Sequence, residues 1–380
     1  MSFRPHIKPE ILRWARDRAG VPLELAVSWF PKYAAWESGD ERPTMAQLQT
    51  FASKTRTPLG YFFLSKPPEE TLPIPDYRTV GDRGVTRPSP NLLATVYAMQ
   101  RRQDWMREYL IEQGAEPLPF IGSATIRTPV AEVAASIRKV LGLDAYWAQS
   151  KPNWEKALRY LTDASEDAGI LVVQNGVVAN NTSRKLNADE FRGFVLSDPY
   201  APLIFINRAD ALAAQMFTVA HELAHLWLGQ DGVFNLQGLE AAPNKVEGFC
   251  NRVAAEFLVP EMTLRTAWQE GTQSFQQLAK QFKVSELVAA RRALDLGLVT
   301  RDEFFAFYNE YQAEDRRKQE AAAGGGNFYY NQPFRVGKRF AEAVMRATKE
   351  GRLLYRDAYR LTDLNGRSFH KYAHELGLEL

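Results

Sequence analysis

Phe217-Thr218-Val219-Ala220-His221-Glu222-Leu223-Ala224-His225-Leu226-Trp227 contains H-E-x-x-H inside an otherwise apolar run. On a helix, residues four apart lie one above the other on one face. His221 and His225 can therefore offer two imidazoles to a single metal ion. Glu222, one residue round, leans over the same side and can take a proton from an activated water. The helix is read from about Ala209 to Leu228, with Asn207 as its cap, Asp210 in its first turn and Gly229 as its stop. Ala213, Ala214, Met216, Phe217, Val219, Ala220, Leu223, Ala224 and Leu226 surround the motif, so the helix is buried nearly all round. Burying two imidazoles and a carboxylate there is costly without partners. A lone buried histidine is ordinarily a satisfied core residue, but this trio calls for a metal.

Short strand signals precede the helix. Gly169-Ile170-Leu171-Val172-Val173-Gln174 is apolar and ends at Asn175-Gly176, a turn pair from which Val177 and Val178 begin a return strand. Residues 191–197 and Leu203-Ile204-Phe205-Ile206-Asn207 are two more strands. Residues 191–197 are the expected open edge, to which an extended substrate could add as a strand.

Following the helix, the search is for a third ligand. The five histidines are His6, His221, His225, His370 and His374, so no third one lies near. Glu240, Glu247 and Glu256 are the next carboxylates. Asn244 opens a helix that Pro260 ends. On it Asn251 shares a face with Glu247, and Glu256 points nearly the other way. Glu247 could be a capping-box residue reaching back to Asn244, or the third ligand with Asn251 steadying a ligand histidine. His370 and His374 also stand four apart, with no carboxylate between them.

The bounds set by composition are loose. At 380 residues there is room for two or three domains. Hydrophobic and charged fractions of 45% and 24% are those of an ordinary globular protein, and the net charge of +2 makes any basic surface local. The single cysteine, Cys250, excludes an internal disulfide and fits a reducing, cytoplasmic setting; a packed thiol is the expected role. No apolar run is as long as a membrane span, and the N-terminus lacks a signal-peptide core.

Residues 9–64 are expected to form five short helices, with Ile11, Leu12, Trp14 and Ala15 on the first and Thr44 capping the fourth. Trp29, Phe30, Tyr33 and Trp36 crowd around Pro31. Such a module could hold DNA or a protein. Pro67, Pro68, Pro73, Pro75, Pro88 and Pro90 make residues 67–90 a linker or an ordered arm. Leu92, Leu93, Val96, Met99, Met106 and Leu110 restore a helical period whose Arg101, Arg102 and Arg107 are expected on a solvated face. Two amphipathic helices follow, over 130–141 and 153–168. Further on, 284–298 looks like a short helical pair with Ser285 as cap and Arg291 and Arg292 exposed. Residues 321–326 are a small-residue hinge, and 328–380 a basic helical unit.

Two regions resemble known families. Ala35-Trp36-Glu37-Ser38-Gly39, Arg42-Pro43-Thr44, Leu48 and Ala52 resemble the second half of a xenobiotic-response-element type helix-turn-helix domain. That resemblance implies a double-stranded DNA partner for residues 1–66. It puts Lys32, Ala34, Ala35 and Ser38 on or beside the recognition element, and Arg13, Arg16 and Arg42 near phosphates. The stretch from Ala26 to Trp36 is shorter than usual and holds Pro31. Residues 1–60 carry nine basic against six acidic side chains, only mildly basic.

Phe217 to His225, followed by Glu247, Asn251 and Ala254-Ala255-Glu256-Phe257-Leu258-Val259-Pro260, resembles the ImmA/IrrE family of zinc-dependent peptidases. The resemblance implies a zincin-like domain in which His221, His225 and Glu247 hold Zn2+ and Glu222 is the catalytic acid–base. Asn251 then stands behind the ligands. It also implies action on helix-turn-helix repressors in stress responses or mobile elements, sometimes beside toxin proteins. The expected architecture is α+β and mostly helical: a helix-turn-helix-like domain over 1–66, the linker 67–90, a metallopeptidase domain over 91–300 and a helical region over 301–380. The competing expectation is a DNA-binding regulator or antitoxin whose metal site is structural or idle.

Overall fold

The computed structural model describes residues 3–76, 87–234, 245–272, 274–319 and 334–378. The small-residue hinge at 321–326, Glu240, Asn244 and part of the proline-rich linker lie outside them. Two compact units are present: residues 1–73 with 80–96, and residues 74–79 with 97–380.

In the first unit, α1 (Pro9–Arg18), α2 (Leu23–Trp29), α3 (Tyr33–Ser38), α4 (Met45–Thr55) and a 3-10 turn at Leu59–Phe63 surround one core. The crowded aromatics are that core. Phe30, Tyr33, Trp36, Phe51 and Phe62 pack ring on ring, with Tyr33 and Phe51 centroids 5.0 Å apart. The buried Tyr33 hydroxyl donates to Leu12 O and bonds Glu37. Thr44 accepts from the Gln47 amide and Gln47 reaches back to the Thr44 amide, a complete capping box on α4.

The second unit is mixed and mostly helical. The division between units falls within α5 (Pro90–Glu112). After it come α6 (Val130–Val140), α7 (Trp154–Asp167), β1 (Leu171–Asn175), β2 (Val177–Val178), β3 (Asn181–Lys185), β4 (Gly193–Leu196) and β5 (Leu203–Asn207). Then follow α8 (Leu212–Leu228), β6 (Gly232–Phe234), α9 (Lys245–Leu258), α10 (Glu261–Gln269), α11 (Phe275–Phe282), α12 (Glu286–Asp295) and α13 (Arg301–Gln319). The last three helices are α14 (Lys338–Lys349), α15 (Tyr355–Thr362) and α16 (Gly366–Glu375).

The sheet order is β1-β5-β4-β6. β1 lies parallel to β5, while β4 is antiparallel to both β5 and β6. Two expectations fail here. Asn175-Gly176 does not fold β2 back onto β1. The Asn175 side chain instead turns the chain by accepting from the Val177 amide, and β2 pairs with β3. Nor is β4 an open edge. Residues 232–234 follow α8 directly after the Gly229 stop and take that edge, in the register Gly193–Phe234, Phe194–Val233 and Val195–Gly232. Side chains alternate across the sheet. Val172, Val195, Ile204 and Ile206 join the main core, while Phe194 and Phe205 stack on the other face with centroids 4.9 Å apart.

α8 begins later than the apolar pattern indicates, because Asn207 is the last residue of β5 rather than a cap. Its side-chain Nδ2 donates to Phe191 O and its Oδ1 accepts from the Ala209 backbone amide. Asp210 is engaged by Arg192 at 3.2 Å. At the other end Gly229 adopts φ +65° and stops the helix. Gly122 N and Ala124 N donate to Leu226 O and Trp227 O, satisfying two of its last carbonyls. The helix packs against β4 and β5 on one side and α6, α7 and α9 on the others.

Two arginines expected in solvent are buried. Arg102, 3% exposed, donates to Leu361 O, Arg335 O and Asp363, and lies over the Phe340 ring. Arg292 donates to Val259 O and pairs with Glu256, which carries Glu256 away from the motif helix. Arg291 stays exposed on Asp295.

Candidate metal centre

His221, Glu222 and His225 lie in the middle of α8, and Glu247 and Asn251 lie in the first half of α9. The two helices pack face to face, and Phe249, Cys250, Val253 and Ala254 join the motif helix in one core. Cys250 faces that core fully buried, and burial pushes its thiol well up, so it is a packed apolar residue rather than a thiolate.

The donors converge tightly. His221 Nε2 lies 3.1 Å from His225 Nε2; Glu247 Oε2 lies 3.2 Å from the first and Oε1 3.0 Å from the second. Among the described residues these three form the one group of ligand type close enough to share an ion. Tetrahedral ligation at about 2.0–2.2 Å separates donors by about 3.3 Å, so the triangle fits a zinc-sized ion with little adjustment. Behind it, His221 Nδ1 lies 3.0 Å from Asn251 Oδ1. A carbonyl oxygen can only accept, so Nδ1 carries the proton and Nε2 keeps its lone pair for a metal.

Protonation follows the same logic. Burial lowers the His225 pKa, keeping it neutral. Burial alone would raise Glu247, but the two imidazoles outweigh it and hold the carboxylate at about 2. A neutral imidazole at His225 and a carboxylate at Glu247 are the forms that ligation needs.

Glu222 is the anomaly. It is fully buried, and neither carboxylate oxygen has a hydrogen-bond partner among the described residues. Burial, and then the charge on Glu247, push its pKa well above the usual range. Room for it is made by Gly193 of β4. A Cβ there would stand 3.1 Å from Glu222 Oε1, 2.5 Å from Thr218 Cγ2 and 2.8 Å from Phe205 O. Gly193 was invisible as a site residue in sequence, because only the β4–α8 packing brings it to Glu222.

In the first unit the side chains of Lys32, Ser38, Arg13 and Arg16, and the backbone of Arg42, have local partners. Lys32 Nζ contacts Glu41 at 2.8 and 3.0 Å. Ser38 Oγ bonds Ala35 O and Asp40, and the Arg42 carbonyl accepts from Arg4. Arg16 holds Glu37 at 2.8 Å and Asp17, with Arg13 on the same Glu37. α3, the recognition element of the resemblance, is six residues long.

A peptidase family model, described as the IrrE N-terminal-like domain, matches residues 165–294, a span that begins in α7 and closes with α12. A domain of unknown function matches residues 336–375, which hold α14 to α16. No curated protein matches the chain. The peptidase match covers all the converging residues of α8 and α9. No helix among the described residues is long and apolar enough to cross a membrane.

Proposed function

We propose that the protein is a zinc-dependent endopeptidase acting on a regulatory protein. The observation that carries this is the buried, unpartnered Glu222 carboxylate beside three donors set for one ion. A structural site gains nothing from such a carboxylate, since an orphaned acid in the core is costly. A hydrolase uses it. Zinc bound by His221, His225 and Glu247 would supply Lewis acidity toward a peptide carbonyl and toward water. Glu222 takes the proton of the attacking water and delivers it to the leaving amine. Its buried position beside the three donors suits both duties. Asn251 holds His221 in the tautomer that presents Nε2. Gly193 leaves Glu222 the room that a side chain at that position would take.

The resemblance to ImmA/IrrE peptidases makes a helix-turn-helix repressor the class of substrate, in a stress-response, mobile-element or toxin–antitoxin setting. For residues 1–66 the paired cations and short α3 favour a protein partner over double-stranded DNA. Salt-sensitive binding of those residues to the protein's own promoter DNA would reverse that preference.

The test of the peptidase is a pair of variants. Glu222→Gln should keep one zinc per chain and lose proteolysis; Glu247→Ala should lose the zinc. Full biological activity in Glu222→Gln would remove the mechanism, and tight zinc in Glu247→Ala would remove the third ligand.

A further inference from the structure

Gly193, the residue against Glu222, starts the strand along which an extended polypeptide would reach the acid–base. That strand is already paired. Gly232, Val233 and Phe234 run antiparallel along Gly193 to Val195, and Phe234 stands opposite Gly193 itself. β6 in turn is held from outside. Residues 74–76 lie beside it, Asp76 bridges Val233 in parallel, and Pro75 O accepts from the Val233 amide at 3.1 Å. Ile74 is buried, and residue 74 begins the second unit. The Asp231 side chain also pins the start of β6 by accepting from the Ser197 amide at the end of β4.

We infer that β6 is an internal occupant of the substrate lane, clasped by residues 74–76, and that the peptidase is self-occluded until the clasp releases. This rests on the peptidase reading above. Pro75 of the clasp has no amide to donate and meets β6 through its carbonyl. The division of labour along β6 is clean. Antiparallel pairs alternate between bonded and non-bonded. Val233 directs its N–H outward to Pro75, so Gly232 and Phe234 carry the bonds to β4. The clasp and the occupancy can therefore be cut separately.

Val233→Pro removes the outward donor and leaves both bonded pairs with β4 intact. Ile74→Ala loosens the same clasp without touching the sheet, and covers the case in which proline disturbs folding. In the zinc-loaded full chain, both should speed amide exchange at residues 232 and 234 at least tenfold. In a Glu222→Gln background, both should bind fluorescein-labelled carboxymethylated lactalbumin at least tenfold more tightly than Glu222→Gln alone. With Glu222 present, hydrolysis of the same protein should rise by a similar factor. Tighter binding without any hydrolysis would keep the self-occlusion and remove the peptidase reading. Unchanged binding in both variants, whether or not residues 232–234 exchange faster, would overturn the self-occlusion whatever hydrolysis does.

Discussion

In the first unit, exposed charges neutralise one another, Lys32 with Glu41 and Lys8 with Glu10, while Arg16 and Glu37 form a part-buried but fully partnered pair. In α8 and α9 the ionisable groups are buried and converge, and one of them, Glu222, has its oxygens left over. Exposed pairs are weak, because water competes for each partner. Buried groups have no such competitor, so every missing partner is felt. The surface arrangement can be edited at little cost and accommodates a changing partner. The buried one tolerates almost no change, which is what fixed chemistry demands.

That contrast can be broken or sharpened in order of expected effect. Glu222→Gln should lower proteolysis about 10²–10⁴-fold, the usual range for a lost acid–base, with zinc content by atomic absorption unchanged. A smaller loss would make Glu222 another surface-like charge. Arg102→Met should cost about 3–5 kcal/mol in urea unfolding, since it strips a buried cation from two carbonyls and Asp363. Asn251→Ala should weaken zinc about 10–100-fold in chelator competition, as loss of a ligand's supporting hydrogen bond usually does.

Glu166 gives a pH test away from the metal. It is half-buried between α7 and the start of α14, and desolvation raises its pKa to about 8. The carboxyl binds its proton more tightly folded than unfolded. Its contribution is thus full below the unfolded value near 4.5 and is lost as pH rises toward 8. The urea midpoint of the wild type should fall between pH 5 and pH 8 by more than that of Glu166→Gln. Parallel curves would show that the group ionises without penalty. Smallest of all, Lys32→Ala should shift stability by less than about 1 kcal/mol, and by less still in high salt.

What sequence could yield was local. Thr44, Asn153, Ser274 and Ser285 each accept an amide at a helix start, and Gly229 ends α8 in the left-handed region. Such features depend on a few neighbouring residues. Helical spacing also showed that His221 shares a face with His225 and Glu247 with Asn251; that the two pairs meet came only from the family resemblance. The unread parts needed partners from far along the chain. Gln174 and Ile206 pair across a parallel crossover that no turn residue announces. Arg102 and Arg292 carry charges that periodicity assigns to solvent, and only distant carbonyls and carboxylates explain their burial. β6 is too short to show any period, yet it changes which edge of the sheet is open.

Arg102 also carries a statement about time. Its partners Arg335, Leu361 and Asp363 lie 233 to 261 residues further on. A ribosome adding about 5–20 residues per second needs about 10–50 s to deliver them. During that interval the α5 guanidinium remains hydrated outside the fold. Both α8 and α9 have been synthesised well before then. A growing chain therefore contains all its metal-ligand residues before it contains the partners of Arg102.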